Sequence, residues 1–227
     1  MEGTRLGVLG GTFNPIHNGH LQIAHYVQRL FTLSRIHFAV SAFPPHKSTE
    51  DLIALNHRYA MVCLATQDFP DFIPSLVELE PPASPFSIDT LAKMSDGSHG
   101  NAKGPHFIAG SDSLMEVASW HESERMLTSH NFVFVSRPGF QAVDAGTVLS
   151  KAAAARVCDL RGLGLRQARK VLRSGEARGD GIFLVDADAP DISASRIRTL
   201  LKSGRRVRRF IPDRVDDYIQ KLHLYGE

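Results

Sequence analysis

The sequence predicts an α/β fold built on a doubly wound, mostly parallel sheet, and three observations carry that expectation. Short apolar runs, among them Leu6–Leu9, His106–Gly110 and Asn131–Ser136, read as buried strands. Stretches of helical periodicity alternate with them along the chain. The first strand passes into the first helix through a tight Gly10-Gly11 turn.

Composition sets the outer bounds. With 227 residues, 43% hydrophobic and 22% charged, one α/β domain is expected. Residues 1–190 would form the core, including a basic helical excursion at about 142–181, and residues 191–227 a small C-terminal helical sub-lobe. No apolar run approaches the roughly 20 residues of a membrane span. No basic start followed by an apolar stretch marks a secretory signal. Cys63 and Cys158 lie far apart without zinc-like spacing, so buried thiols in a reducing, cytoplasmic setting are expected. A net charge of +2 is too small to indicate nucleic-acid binding.

The first strand ends at Gly10-Gly11, and Leu21, Ile23, Ala24, Val27, Leu30 and Phe31 then recur at helical spacing. A helix therefore starts near Asn18 or Gly19. Glycines let backbone N–H groups approach a ligand, and the helix end adds partial positive charge, so the turn is suited to an anion. His17 and His20, three residues apart, can face the same side. Two imidazoles at such a turn suit charge stabilisation in phosphoryl-type chemistry. Neither G-x-G-x-x-G nor the Gly-Lys-Ser/Thr of a P-loop is present.

Arg35–Ser41 reads as the second strand, and Pro44-Pro45 takes the chain out of the sheet. His46 and Lys47 follow at the carboxyl edge, where they fit either a second anion site or a solvated loop. Helical periodicity covers Leu55–Gln67, and Phe72–Leu79 reads as a strand. The loop from Pro85 enters a short helix through Ser87, an N-cap or a substrate hydroxyl. After the buried strand ending at Gly110, Asp112 opens another helix as a ribose acceptor or as a cap. Trp120, the sole tryptophan, suits a flat aromatic ligand or the core. Asn131–Ser136 ends at Arg137-Pro138-Gly139, with a guanidinium at the same sheet edge.

Residues 151–178 carry eight Lys or Arg against two acids, broken by glycines into short helical pieces. A solvated helical excursion is the first expectation. A subunit contact in a homo-oligomer, or an electrostatic funnel for anionic substrates, is the sharper alternative. Gly181–Val185 reads as the last strand. Ser193 then caps a helix reaching Leu201, with Gly204 as its stop. Hydroxyls and exposed N–H groups there would cradle a second anion, with Arg198 little more than a turn along. Ile211-Pro212 to Tyr225 reads as a final helix.

The string GGTFNPIHNGHL, residues 10–21, resembles the H-x-G-H nucleotidyltransferase superfamily and, within it, the nicotinate-nucleotide adenylyltransferases. ISASRIR, residues 192–198, is similar to the I-S-[SA]-T-x-I-R signature, with Ser195 in place of threonine. PPHK, the FSIDTL segment and GSDSL followed by Trp120 point to the pyridine-nucleotide branch. Phe86 and Ser87 stand where tyrosine and threonine are usual, and Ser111 where alanine is. The likeness covers nearly the whole chain outside roughly 142–181.

The resemblance implies a Rossmann-like fold and adenylyl transfer from ATP to nicotinate mononucleotide, a step of NAD biosynthesis. It assigns His17, His20 and Arg198 to catalysis. ATP would meet Gly10, Gly11, Thr12, Phe13, His20, Asp112, Ser193 and Arg198. Nicotinate mononucleotide would meet His46, Lys47, Ser87, Trp120 and Arg137. Mg²⁺ is expected on the ATP phosphates, mostly hydrated and without a protein cage. Partners would be these small molecules, with no nucleic acid or membrane. Nicotinamide mononucleotide or phosphopantetheine as acceptor, and a non-catalytic nucleotide sensor, are the rival readings.

Overall fold

The computed structural model describes residues 5–44, 52–95, 104–136, 144–174, 180–187, 189–190 and 192–226. In chain order these form β1 (Leu6–Gly11), α1 (Asn18–Phe31), β2 (Arg35–Val40), α2 (Leu55–Thr66), β3 (Phe72–Ser75) and α3 (Ser87–Ser95). There follow β4 (His106–Gly110), α4 (Ser111–Glu116), α5 (Ser123–Ser129), β5 (Asn131–Ser136), α6 (Ala145–Val148) and α7 (Lys151–Ala154). The chain closes with β6 (Val157–Asp159), α8 (Leu165–Arg173), β7 (Ile182–Asp186), α9 (Ala194–Lys202) and α10 (Asp213–Lys221).

The strands make one seven-stranded sheet in the order β3-β2-β1-β4-β5-β7-β6. Every pairing is parallel, so the sheet is the doubly wound, Rossmann-like kind that the sequence predicts. Side chains alternate between its faces with the two-residue period of a strand. In β5, Val133 and Val135 enter one core cluster while Phe132 and Phe134 enter the other. The first cluster holds Ile23, Ala24 and Val27 of α1, Met61 and Val62 of α2, Ile197 of α9 and Val215 of α10. The second holds Ile88 and Leu91 of α3, Leu114 of α4 and Met126 of α5. Covered on both faces, the strands are near-continuous apolar runs, which is why they show in the sequence.

From β1 the chain winds outward through β2 and β3, then returns to place β4 on β1's other side. That reversal is the crevice where open α/β sheets bind ligands, beyond the carboxyl ends of the strands. No helix among the described residues is long and apolar enough to cross a membrane.

Three segments differ from the sequence expectation. The strand expected over Phe72–Leu79 stops at Ser75, and Val77–Leu79 is a 3₁₀ turn. The basic excursion is not wholly solvated or helical. Its residues Val157–Asp159 add β6 to the sheet edge beside β7, and Leu160 and Ala168 are buried. A three-residue strand is too short to show a period. The final helix ends at Lys221 instead of Tyr225, and the last residues turn back onto the fold.

Candidate active site

The glycine turn is shaped by neighbours as much as by the chain's own freedom. A Cβ on Gly10 would lie 2.7 Å from the Phe107 ring of the adjacent strand. A Cβ on Gly19 would lie 3.0 Å from His17 Nδ1. Glycine inside H-x-G-H thus leaves room for the His17 ring to fold over the helix start. There it stacks on His20, with ring centroids 3.7 Å apart. The His17 backbone N–H donates to His20 Nδ1 at 3.1 Å, closing one arm of a capping box with histidine in the usual Glu or Gln place.

Because Nδ1 accepts that bond, the neutral ring of His20 carries its proton on Nε2. His20 is half-buried, whereas His17 is 3% exposed and lies behind it. Phe13 is buried and meets the His20 ring edge-on at 5.1 Å. Its buried ring therefore packs against the histidine.

Arg198, on α9, brings the far end of the sequence to this turn. Its Nη1 donates to Asn14 O at 3.0 Å across 184 positions. Ser193 caps α9: its Oγ accepts from Arg196 N at 3.2 Å and lies 3.1 Å from Ser195 Oγ. Pro190 O lies 3.9 Å from the Cβ position of Gly19, so the chain leading into α9 passes beside the histidines. Gly10–Thr12, His17, His20 and Arg198 are in this way brought together.

The aromatic group forms beyond β4. Asp112 is exposed in the first turn of α4. Trp120 is half-buried, its ring edge-on to Phe107 at 6.1 Å. Phe86, just before Ser87, stacks on His121 at 4.1 Å and 23°. Ser87 and Trp120, 33 positions apart in sequence, are brought near one another by this contact between their chain neighbours. His46, Lys47 and Arg137 lie outside the described residues.

Sequence reasoning missed two buried charges under the site. Arg58 is 1% exposed; its Nη1 donates to Thr12 O at 2.8 Å and Ser41 O at 2.6 Å, and its Nε to Ile53 O at 3.1 Å. One guanidinium thus joins the ends of β1 and β2 to the start of α2. Burial lowers its pKa from the ordinary arginine value, and Tyr225 and Glu78 act in the opposite direction. The available signal was a charged residue on the buried stripe of α2, beside Met61 and Val62.

Glu78 accepts from Ala42 N–H at 2.8 Å and from the Ser41 hydroxyl at 3.3 Å, holding the chain just past β2. Burial raises its pKa above the ordinary carboxylate value, and those hydrogen bonds and Arg58 offset only part of the shift. The folded state then binds the proton more tightly than the unfolded chain. Stability contributed by Glu78 is accordingly present below the unfolded value of 4.5 and is lost as pH rises through the folded value. Glu78→Gln is expected to flatten that fall. Urea midpoints of parent and variant at pH 4 and 7.5, on either side of the whole fall, check this, and parallel changes in the two proteins would count against it.

A cytidylyltransferase-like family profile matches residues 8–200. The probable nicotinate-nucleotide adenylyltransferase of Geobacter metallireducens is 38% identical over 221 residues, covering 97% of this chain and 98% of that protein. The chain belongs to the nicotinate-nucleotide adenylyltransferase family. The probable family member from Geotalea uraniireducens is 37% identical, covering 98% of this chain and 99% of its own. Among solved structures, Plasmodium falciparum nicotinic acid mononucleotide adenylyltransferase complexed with NaAD superposes with a TM-score of 0.70. It is 19% identical, covering 98% of this chain and 97% of that one, and shares the fold. Nicotinate-nucleotide adenylyltransferases are nucleotidyltransferases, and the chain is an enzyme of that class.

Proposed function

We propose that this chain transfers the adenylyl group of ATP to nicotinate mononucleotide, forming nicotinate adenine dinucleotide and pyrophosphate. The observation that carries this is the convergence of the stacked His17–His20 pair and Arg198 on one glycine turn at the sheet's reversal. Full-length relatives at 37–38% identity that carry the nicotinate-nucleotide name support the choice of acceptor.

The nucleophile is a phosphate oxygen of the mononucleotide, already largely ionised at neutral pH. It forms a bond to the α-phosphorus as the bond to the β-phosphate bridging oxygen breaks, and pyrophosphate carries away that electron pair. No base is needed. Catalysis then consists of bringing two polyanions together in line and neutralising charge as it moves. His20 Nε2–H donates to the ATP phosphates, and His17 backs its ring. Backbone N–H groups of Gly10–Thr12 share the load, while Ser193 and Arg198 hold the departing pyrophosphate.

Asp112 takes a ribose hydroxyl, and the ring surfaces of Trp120 and Phe86 suit a flat pyridine, with Ser87 beside them. His46, Lys47 and Arg137 supply charge to the mononucleotide's anionic groups. Mg²⁺ enters with ATP. Held by the phosphates and water, it would neutralise charge on the triphosphate as the pyrophosphate departs.

Pyrophosphate release, measured with ATP and one acceptor at a time, tests the proposal. Nicotinate mononucleotide should be the fastest acceptor, ahead of nicotinamide mononucleotide, and phosphopantetheine should give no release. Faster turnover with nicotinamide mononucleotide would reassign the acceptor. ATP binding without release for any acceptor would make the protein a sensor.

A further inference from the structure

The turn carrying the histidines is held by the chain's last residues. After α10 the backbone doubles back, with Leu224 N–H donating to Ile219 O at 3.0 Å. Tyr225 follows at a φ of 66° and is 8% exposed. Its hydroxyl donates to Asn14 Oδ1 at 2.8 Å, across 211 positions. Asn14 is buried too, and its backbone carbonyl accepts from Arg198 Nη1.

Asn14 is therefore gripped twice, by the tail at its side chain and by Arg198 at its backbone. It stands between Thr12, which Arg58 holds, and His17, which begins the histidine pair. A further tie lies just beyond: Asn18 N–H donates to Phe210 O at 2.9 Å. Burial raises the Tyr225 phenol above its ordinary value, against the pull of Arg198 and Arg58, so it remains a donor at working pH.

We propose that Tyr225 is a positioning residue of the transfer reaction. Through Asn14 it fixes the peptide that carries His17 and receives Arg198, and so presets the ATP-phosphate grip without touching substrate. This rests on the reading that Arg198 and the histidines serve ATP.

Tyr225→Phe keeps the ring and removes only the hydroxyl. The expected result is about a tenfold loss of kcat/KM for ATP, with KM for nicotinate mononucleotide within about twofold. The melting temperature should fall by no more than about 4 °C, the scale of one lost hydrogen bond. Asn14→Leu should do at least as much harm, and adding Tyr225→Phe to it should cost nothing further. Asn14→Asp keeps an acceptor for the hydroxyl and should retain more ATP turnover than Asn14→Leu.

A parent enzyme that releases pyrophosphate, alongside a Tyr225→Phe variant with unaltered ATP kinetics, overturns the proposal and leaves the functional reading intact. Losses that multiply in the double variant overturn it as well. If Tyr225→Phe does not fold, the Asn14 pair decides, and equal impairment of Asn14→Asp and Asn14→Leu rejects it. A parent that releases no pyrophosphate instead removes the reading beneath it.

Discussion

Replacing His20 with asparagine is expected to lower kcat at least about 100-fold, the usual cost of one preorganised donor, while the protein still folds. His20 has two separable duties. Its Nδ1 accepts from the His17 backbone N–H, which is a helix-capping duty. In the proposed mechanism its Nε2–H meets the phosphates. An asparagine side-chain oxygen can take over the first and cannot reach far enough for the second. Alanine removes both and should add a stability loss of about 1 kcal/mol, typical of a lost cap. Single-turnover rates and thermal melts of both variants separate the two duties. A His20→Asn enzyme with parental turnover would place charge stabilisation elsewhere.

The second large effect concerns Arg58. Arg58→Met, close in volume and lacking donors, would leave the partly buried carbonyls of Thr12, Ser41 and Ile53 without the guanidinium. At about 1 kcal/mol for each unmet carbonyl, the loss should be about 3 kcal/mol. For a chain of this length that is a fall of roughly 6–12 °C in melting temperature. Arg58→Lys should recover only part, because one ammonium cannot span the ends of β1 and β2 as a fork does. Because Thr12 belongs to the proposed ATP turn and Ser41 leads toward the proposed mononucleotide loop, KM should rise for both substrates together. That pattern differs from the ATP-selective loss expected of Tyr225→Phe. A melt of Arg58→Met within about 2 °C of the parent would show that water or neighbours satisfy those carbonyls instead.

Much of the frame was legible because a parallel sheet covered on both sides writes itself as apolar runs. Leu6–Leu9, His106–Gly110 and Asn131–Ser136 are strands in the structure, and Asn18 does open the first helix. Ser193 and Gly204 were legible as helix ends because capping is local chemistry, and they sit at the two ends of α9. β6 was hidden, since its three residues gain meaning only from pairing with β7.

The same division runs through the site. The histidine pair and Ser193 with Arg198 could be read as two short strings. That Arg198 reaches Asn14 is a tertiary fact with no local trace. Arg58, Glu78 and Tyr225 belong to no ligand-facing string, and each works by binding backbone or side chains that other parts of the chain deliver. Periodicity could flag Arg58 as a charge on a buried stripe, but could not say which carbonyls it meets.

In the proposed mechanism His20, Ser193 and Arg198 hold a single ATP triphosphate at the Gly10–Thr12 turn. A crystal structure with a non-hydrolysable ATP analogue would show this arrangement outright. The expected result is phosphate oxygens within hydrogen-bond distance of His20 Nε2 and the Arg198 guanidinium, with the α9 N-terminus facing the terminal phosphates. An analogue bound with its phosphates turned away from both side chains would contradict it.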